Sequence, residues 1–133
     1  SLLQQINAAR AQARQCGGQA FAAAAPLVWS AELGSAAESH SRAMANGNFF
    51  AHQGPDGLTP GDRAELAGYE GGKVGENIAA ALDSTAKVVE GWLASAGHCA
   101  NIMNPEFSEL GAAYANDPQS DAGIYWTALF GGQ

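Results

Sequence analysis

The stretch Ala51–Gly57, AHQGPDG, decides how the rest of the chain is read. Pro55, Asp56 and Gly57 have turn chemistry: proline presets φ, aspartate bonds nearby backbone, and glycine tolerates positive φ. Two later pieces are arranged to meet this loop, GENIA from Gly75 and SAGHCANIM from Ser95. Together the three stretches supply His52, Glu76 and His98, groups that can bind a metal or move a proton. They lie far apart in the chain. Only a tertiary fold can gather them.

Upstream of the loop, Phe49 and Phe50 are expected to fill the core. Ser30 is a good N-cap for a helix running to about Asn46, with Gly47 closing it. Its inner face carries Leu33, Ala37, His40 and Met44. A histidine on such an apolar face is read first as a satisfied structural residue, and His40 is placed there on that basis. Earlier still, Leu2, Leu3, Ile6, Ala9 and Ala13 recur at helical spacing, predicting an amphipathic helix from Ser1 to about Gln15 that Gly17 and Gly18 end. Arg10 sits beside that stripe, where a buried hydrogen-bonding anchor and surface snorkelling fit equally well. Phe21 to Val28 is an apolar connection that Pro26 keeps from becoming helix.

Downstream, TPGD places Thr59 at an N-cap and Pro60 at the first helical position of a short helix ending near Gly68. Gly71, Gly72 and Gly75 punctuate the approach to GENIA, which reads as extended or irregular. Asp83 or Ser84 could cap a helix to about Ser95, turning Val88, Val89, Trp92 and Leu93 inward, with Gly97 as its breaker. CANIM reads as a single helical turn limited by Pro105. Leu110 to Ala115 and Ile124 to Phe130 are strand-like runs joined by NDPQSDAG, so an antiparallel hairpin is expected. Tyr114, Tyr125 and Trp126 suit a sheet covered by helices.

A length of 133 residues fits one domain, 1–133, with a real core. The 47% apolar and 14% charged content argues against disorder. Six basic against thirteen acidic residues give a net charge of -7 without a basic cluster, which disfavours nucleic acid and anionic membrane surfaces as partners. The longest apolar run, Phe21 to Trp29, is far too short to span a bilayer. The chain starts at Ser1 inside a helical pattern, without a signal segment, as a processed or trimmed product does. Its two cysteines, Cys16 and Cys99, leave two readings open: buried thiols, or one disulfide tying the first helix to the segment of His98.

Chemically, His52 and His98 could donate ring nitrogens to a divalent ion. Glu76 could be a third ligand, a base, or the carboxylate that orients one imidazole. Asp56 could orient His52 from within the loop. No HExxH helix, GxSxG elbow or glycine-rich nucleotide loop is present. Ser41 beside His40, Ser95 near His98 and Cys99 beside His98 make only weak nucleophile pairs.

At this point the chain resembles the CAP superfamily (cysteine-rich secretory, antigen 5 and pathogenesis-related proteins), also called the SCP or sperm-coating-protein domain, in its bacterial form. The matching pieces are INAARAQA, LVWSAELGSAAESHSRAMA, FFAHQGPDG, GENIA, VVEGWLASAGHCANIM and ELGAAYA with IYWTALFG. They follow the family order over nearly the whole chain. The resemblance implies an α+β fold, a three-layer α-β-α sandwich with a small central antiparallel sheet. Family cavities hold two histidines and two acids, which fall here on His52, Glu76 and His98. The remaining acid, three positions after a tryptophan, is directed by Trp92 to Ser95, which has no carboxylate. Glu90 is nearby without a reason to replace it. The resemblance further implies zinc or another divalent ion between His52 and His98, a Cys16–Cys99 disulfide, and an extracellular or periplasmic setting.

The function expected is an extracytoplasmic binding or interaction module. Its cleft would hold a divalent metal, a small molecule, or part of a cell-wall or protein partner. The alternative is a metal-dependent, peptidase-like hydrolase with His52 and His98 as ligands and Glu76 as base.

Overall fold

The organising hairpin forms where the alternating pattern demands it. In a computed structural model that describes residues 1–133, β5 (Glu109–Asn116) pairs antiparallel with β6 (Ile124–Gly132). Side chains of β6 alternate between two faces, as a period of two requires. Trp126, Ala128 and Phe130 join one core cluster, whereas Tyr125 and Leu129 belong to clusters on the other side. Both faces of β6 are therefore buried.

GENIA is a strand. It lies in β4 (Lys73–Ala80), antiparallel to β6, while the two-residue β3 (Val28–Trp29) adds in parallel to β5. The sheet order is β3-β5-β6-β4, so β4 has a free edge. Unpaired edge carbonyls need partners. Asn101 Nδ2 donates to Glu76 O at 3.2 Å and Trp92 Nε1 to Ile78 O at 3.0 Å, which caps that edge with side chains.

One helical layer is α2 (Ala31–Gly47) with α3 (Pro60–Leu66); the other holds α1 (Leu2–Arg10), α4 (Thr85–Leu93) and α5 (Ala96–Met103). Leu2, Ile6, Val88, Trp92, Ile102 and Met103 pack on the sheet from the second layer. Leu33, Ala36 and Ala37 pack from the first. The result is the expected α-β-α sandwich. Ser30, Thr59 and Ser84 each accept a backbone N–H as N-caps, with Pro60 at the start of α3. Gly111 lets α2 come close, because a Cβ there would collide with the backbone of Leu33 and Gly34.

Several local expectations are corrected. The first helix stops at Arg10, and Arg14–Cys16 (β1) pairs with Gln19–Phe21 (β2) as a hairpin turning at Gly17, φ +62°. Ala13, expected in the apolar stripe, is exposed, so nothing packs there to prolong the helix. The break before α5 falls at Ser95, which adopts extended φ, ψ; Gly97 lies inside a helix longer than one turn. Left-handed Asn48, φ 54°, caps α2 rather than Gly47. Phe50 and Tyr114 are exposed, Tyr114 although its ring lies against Trp126 with centroids 4.9 Å apart.

Two long-range ties set the second layer. Arg10 is buried and is an anchor: Nε donates to Ala25 O, Nη1 to Ile102 O and Asn104 O, and Nη2 to Phe107 O. Cys16 and Cys99 form a disulfide, joining the hairpin to α5.

Candidate functional site

Glu76 lies on β4 facing α2 and α3, with its side chain only 1% exposed. A carboxylate removed from water needs full compensation. Arg63 of α3 donates from Nη2 to Oε2 at 3.0 Å, and His52 Nδ1 meets Oε1 at 2.8 Å. Both carboxylate oxygens are engaged. The His52 side chain is about half exposed, at 54%, so its other nitrogen, Nε2, is directed away from the buried pair.

The loop carrying His52 is pinned through its carbonyls. Arg63 Nη2 also donates to His52 O at 2.6 Å, and Nη1 to Leu58 O at 2.9 Å. His40 Nε2 donates to Ala51 O at 2.7 Å and stands 4.0 Å from Glu76 Oε1. Because a carbonyl only accepts, the proton of neutral His40 resides on Nε2. Burial lowers the His40 pKa; the Glu76 carboxylate and the Ala51 bond pull upward but do not prevail, and Arg63 and His52 add to the lowering. His40 is thus the structural histidine expected from its face, bonded through Nε2, and it also braces the site.

His98 arrives from the other helical layer, around the free edge of β4. Its backbone carbonyl accepts from Asn77 Nδ2 at 3.1 Å, and Asn101 Nδ2 donates to Asn77 Oδ1 at 2.9 Å. Ser95 Oγ pairs with His98 Nδ1 at 3.1 Å in place of capping its own helix. The serine that stands where the acid was expected therefore touches the histidine as a neutral partner. Burial lowers the His98 pKa, and the charge of His52 adds to this.

Asp56 does not orient His52. Its Oδ1 accepts from Leu58 N, closing the turn locally, and Glu76 supplies the orienting carboxylate. Nor are three or more His, Cys, Asp or Glu side chains gathered as a metal-ligand set. Arg63 is the site residue that sequence reasoning misses. Its only signal is an arginine on a short, well-capped helix directly after the His52 loop.

A sandwich whose edge strand holds a buried carboxylate between an arginine and a histidine, with a second histidine crossing from the opposite layer, defines the class of this protein. The chain belongs to CAP, the cysteine-rich secretory protein family, whose pattern it matches over residues 3–130. It is 34% identical over 108 residues to the uncharacterized protein YkwD of Bacillus subtilis (strain 168), covering 81% of this chain and 40% of that protein. The structure of an extracellular protein containing an SCP domain from Bacillus anthracis is similar with a TM-score of 0.73 and 31% identity, over 83% of this chain and 35% of the other. An outer surface protein of Borrelia burgdorferi shares the fold, with a TM-score of 0.72 and 20% identity over 80% of this chain and 77% of its own. The chain spans less than half the length of the two Bacillus proteins. Membership in this secretory family, with the Cys16–Cys99 disulfide, places the domain outside the cytoplasm. No helix is long and apolar enough to cross a membrane.

Proposed function

We propose that this domain is an extracytoplasmic binding module whose cleft presents His52 and His98 to a divalent cation, zinc being the first choice for two imidazoles. The observation that carries the reading is the 2.8 Å contact between Glu76 and His52 Nδ1. A carboxylate on one ring nitrogen fixes the tautomer and directs the other nitrogen toward a ligand. Ser95 does the same, more weakly, for His98. Of the three roles open to Glu76, orienting the imidazole fits best. Both oxygens already accept a hydrogen bond and the side chain is only 1% exposed, so a third ligand role or a base role has little room.

That commitment sets the binding role ahead of the hydrolase. A general base must reach the water it activates, and Glu76 is enclosed. Two protein ligands leave open positions on the ion, which suits an exchangeable site bridging to a partner's donors. A wall component or an extracellular protein could supply them, and the acidic chain favours a neutral or cationic one.

The test is calorimetric titration of metal-stripped protein with zinc, repeated on His52→Ala and His98→Ala. One-site binding lost in both variants is the expected result. Binding that persists without either histidine overturns the reading. Glu76→Gln should weaken zinc affinity by about 10- to 100-fold, as loss of an orienting carboxylate does elsewhere.

A further inference from the structure

Against Arg63 and His40 lies a cavity of about 270 Å³, formed between α2, the turn at Gly54 to Leu58, and α3. None of His52, Glu76 or His98 lines it. Its polar lining is Ser35 and Ser39, one turn apart on α2, with His40, Asp56 and Arg63. His40 uses Nε2 on Ala51, which leaves Nδ1 as an acceptor without a protein partner. Asp56 uses Oδ1 on Leu58 N and keeps Oδ2. The two serine hydroxyls, His40 Nδ1 and Asp56 Oδ2 together suit a ligand that both gives and takes hydrogen bonds.

Charge narrows the class. The Arg63 cation is already matched by Glu76, and Asp56 adds negative charge at the rim, so an anion gains little. A simple cation would give the Ser35 and Ser39 hydroxyl hydrogens nothing to donate to. Hydroxyl groups act as donor and acceptor at once, and Leu58 and Leu66 offer aliphatic surface for the C–H face of a ring. We propose that this cavity binds a neutral polyhydroxylated ligand, a single saccharide unit, independently of the His52 and His98 cleft.

The experiment is an NMR titration of ¹⁵N-labelled protein with D-glucose, following the amides of Ser35, Ser39, Gly54 and Asp56. Saturable shifts confined to this cavity, with a Kd below about 50 mM, are expected. Removing both hydroxyls in Ser35→Ala/Ser39→Ala should weaken binding by roughly tenfold, and Ser39→Trp should abolish it by filling the space. Both serines lie outside the core, so circular dichroism and melting should show these variants folded, and zinc titration of Ser39→Trp should match the parent. The proposal is overturned by shifts that fail to saturate or that persist in Ser39→Trp. It is equally overturned if acetate or methylammonium binds the same amides more tightly than glucose.

Discussion

Arg63 Nη2 lies 3.0 Å from Glu76 Oε2, and both side chains are buried, at 7% and 1% exposure. Breaking such a pair by removing one partner strands a charge away from water, whereas removing both does not. Arg63→Met should therefore cost about 3–5 kcal/mol of stability. In Arg63→Met/Glu76→Gln part of that loss should return, with a coupling energy of about 1–3 kcal/mol. Urea unfolding of the two single variants, the double variant and the parent at pH 7 measures it. Strictly additive losses would show that the two residues are not coupled.

Arg10 makes a parallel case without an ion pair. Its guanidinium serves four backbone carbonyls from the Phe21–Val28 connection and from the end of α5 onward. Arg10→Met keeps much of the aliphatic stem but leaves carbonyls unpaired, at about 1–3 kcal/mol for each that water cannot reach. A loss of at least about 3 kcal/mol is expected from denaturant melts. Arg10→Lys should recover less than half of it, because an ammonium cannot reproduce the planar fork. Full rescue by lysine would mean that charge, not geometry, holds these segments.

The Cys16–Cys99 bond closes a separation of 83 residues, for which loop entropy gives roughly 4–5 kcal/mol. Cys16→Ser/Cys99→Ser should lose about 2–5 kcal/mol in guanidinium unfolding. Both cysteines are buried, so the folded parent should resist mild reductant and lose stability only when unfolded under reducing conditions. A serine variant as stable as the parent would assign the bond no thermodynamic role.

How far the sequence can be read depends on the range of the interaction. Caps at Ser30, Thr59 and Ser84 are local chemistry, and each stands where its neighbours place it. The β5–β6 hairpin is legible because alternation and a polar turn occur together. GENIA is ambiguous alone: Glu76 and Asn77 are polar, and only the partners on either face, Arg63 and Asn101, make them buried strand residues. The Cys16–Cys99 pair comes from resemblance, since two cysteines do not specify a bond. Arg63 is illegible because its partners, His52 O, Leu58 O and Glu76, meet it only through tertiary packing. Exposed Phe50 and Tyr114 make the converse point: apolar identity does not fix how deeply a side chain is covered.

The last prediction concerns pH. Burial holds the His40 pKa below its ordinary value near 6.5, outweighing the attraction of Glu76. Above that value His40 is neutral in both folded and unfolded chains, so it adds no pH dependence. Below it the unfolded chain takes up a proton that the folded chain refuses, and stability falls as pH drops toward the lower folded pKa. His40→Gln keeps a donor for Ala51 O without a titrating ring. Unfolding free energy measured from about pH 7.5 to 5 should decline more steeply for the parent than for His40→Gln, with the difference developing below about pH 6.5. Parallel curves would mean that His40 takes its proton as readily when folded as when unfolded, and that Glu76 compensates its burial in full.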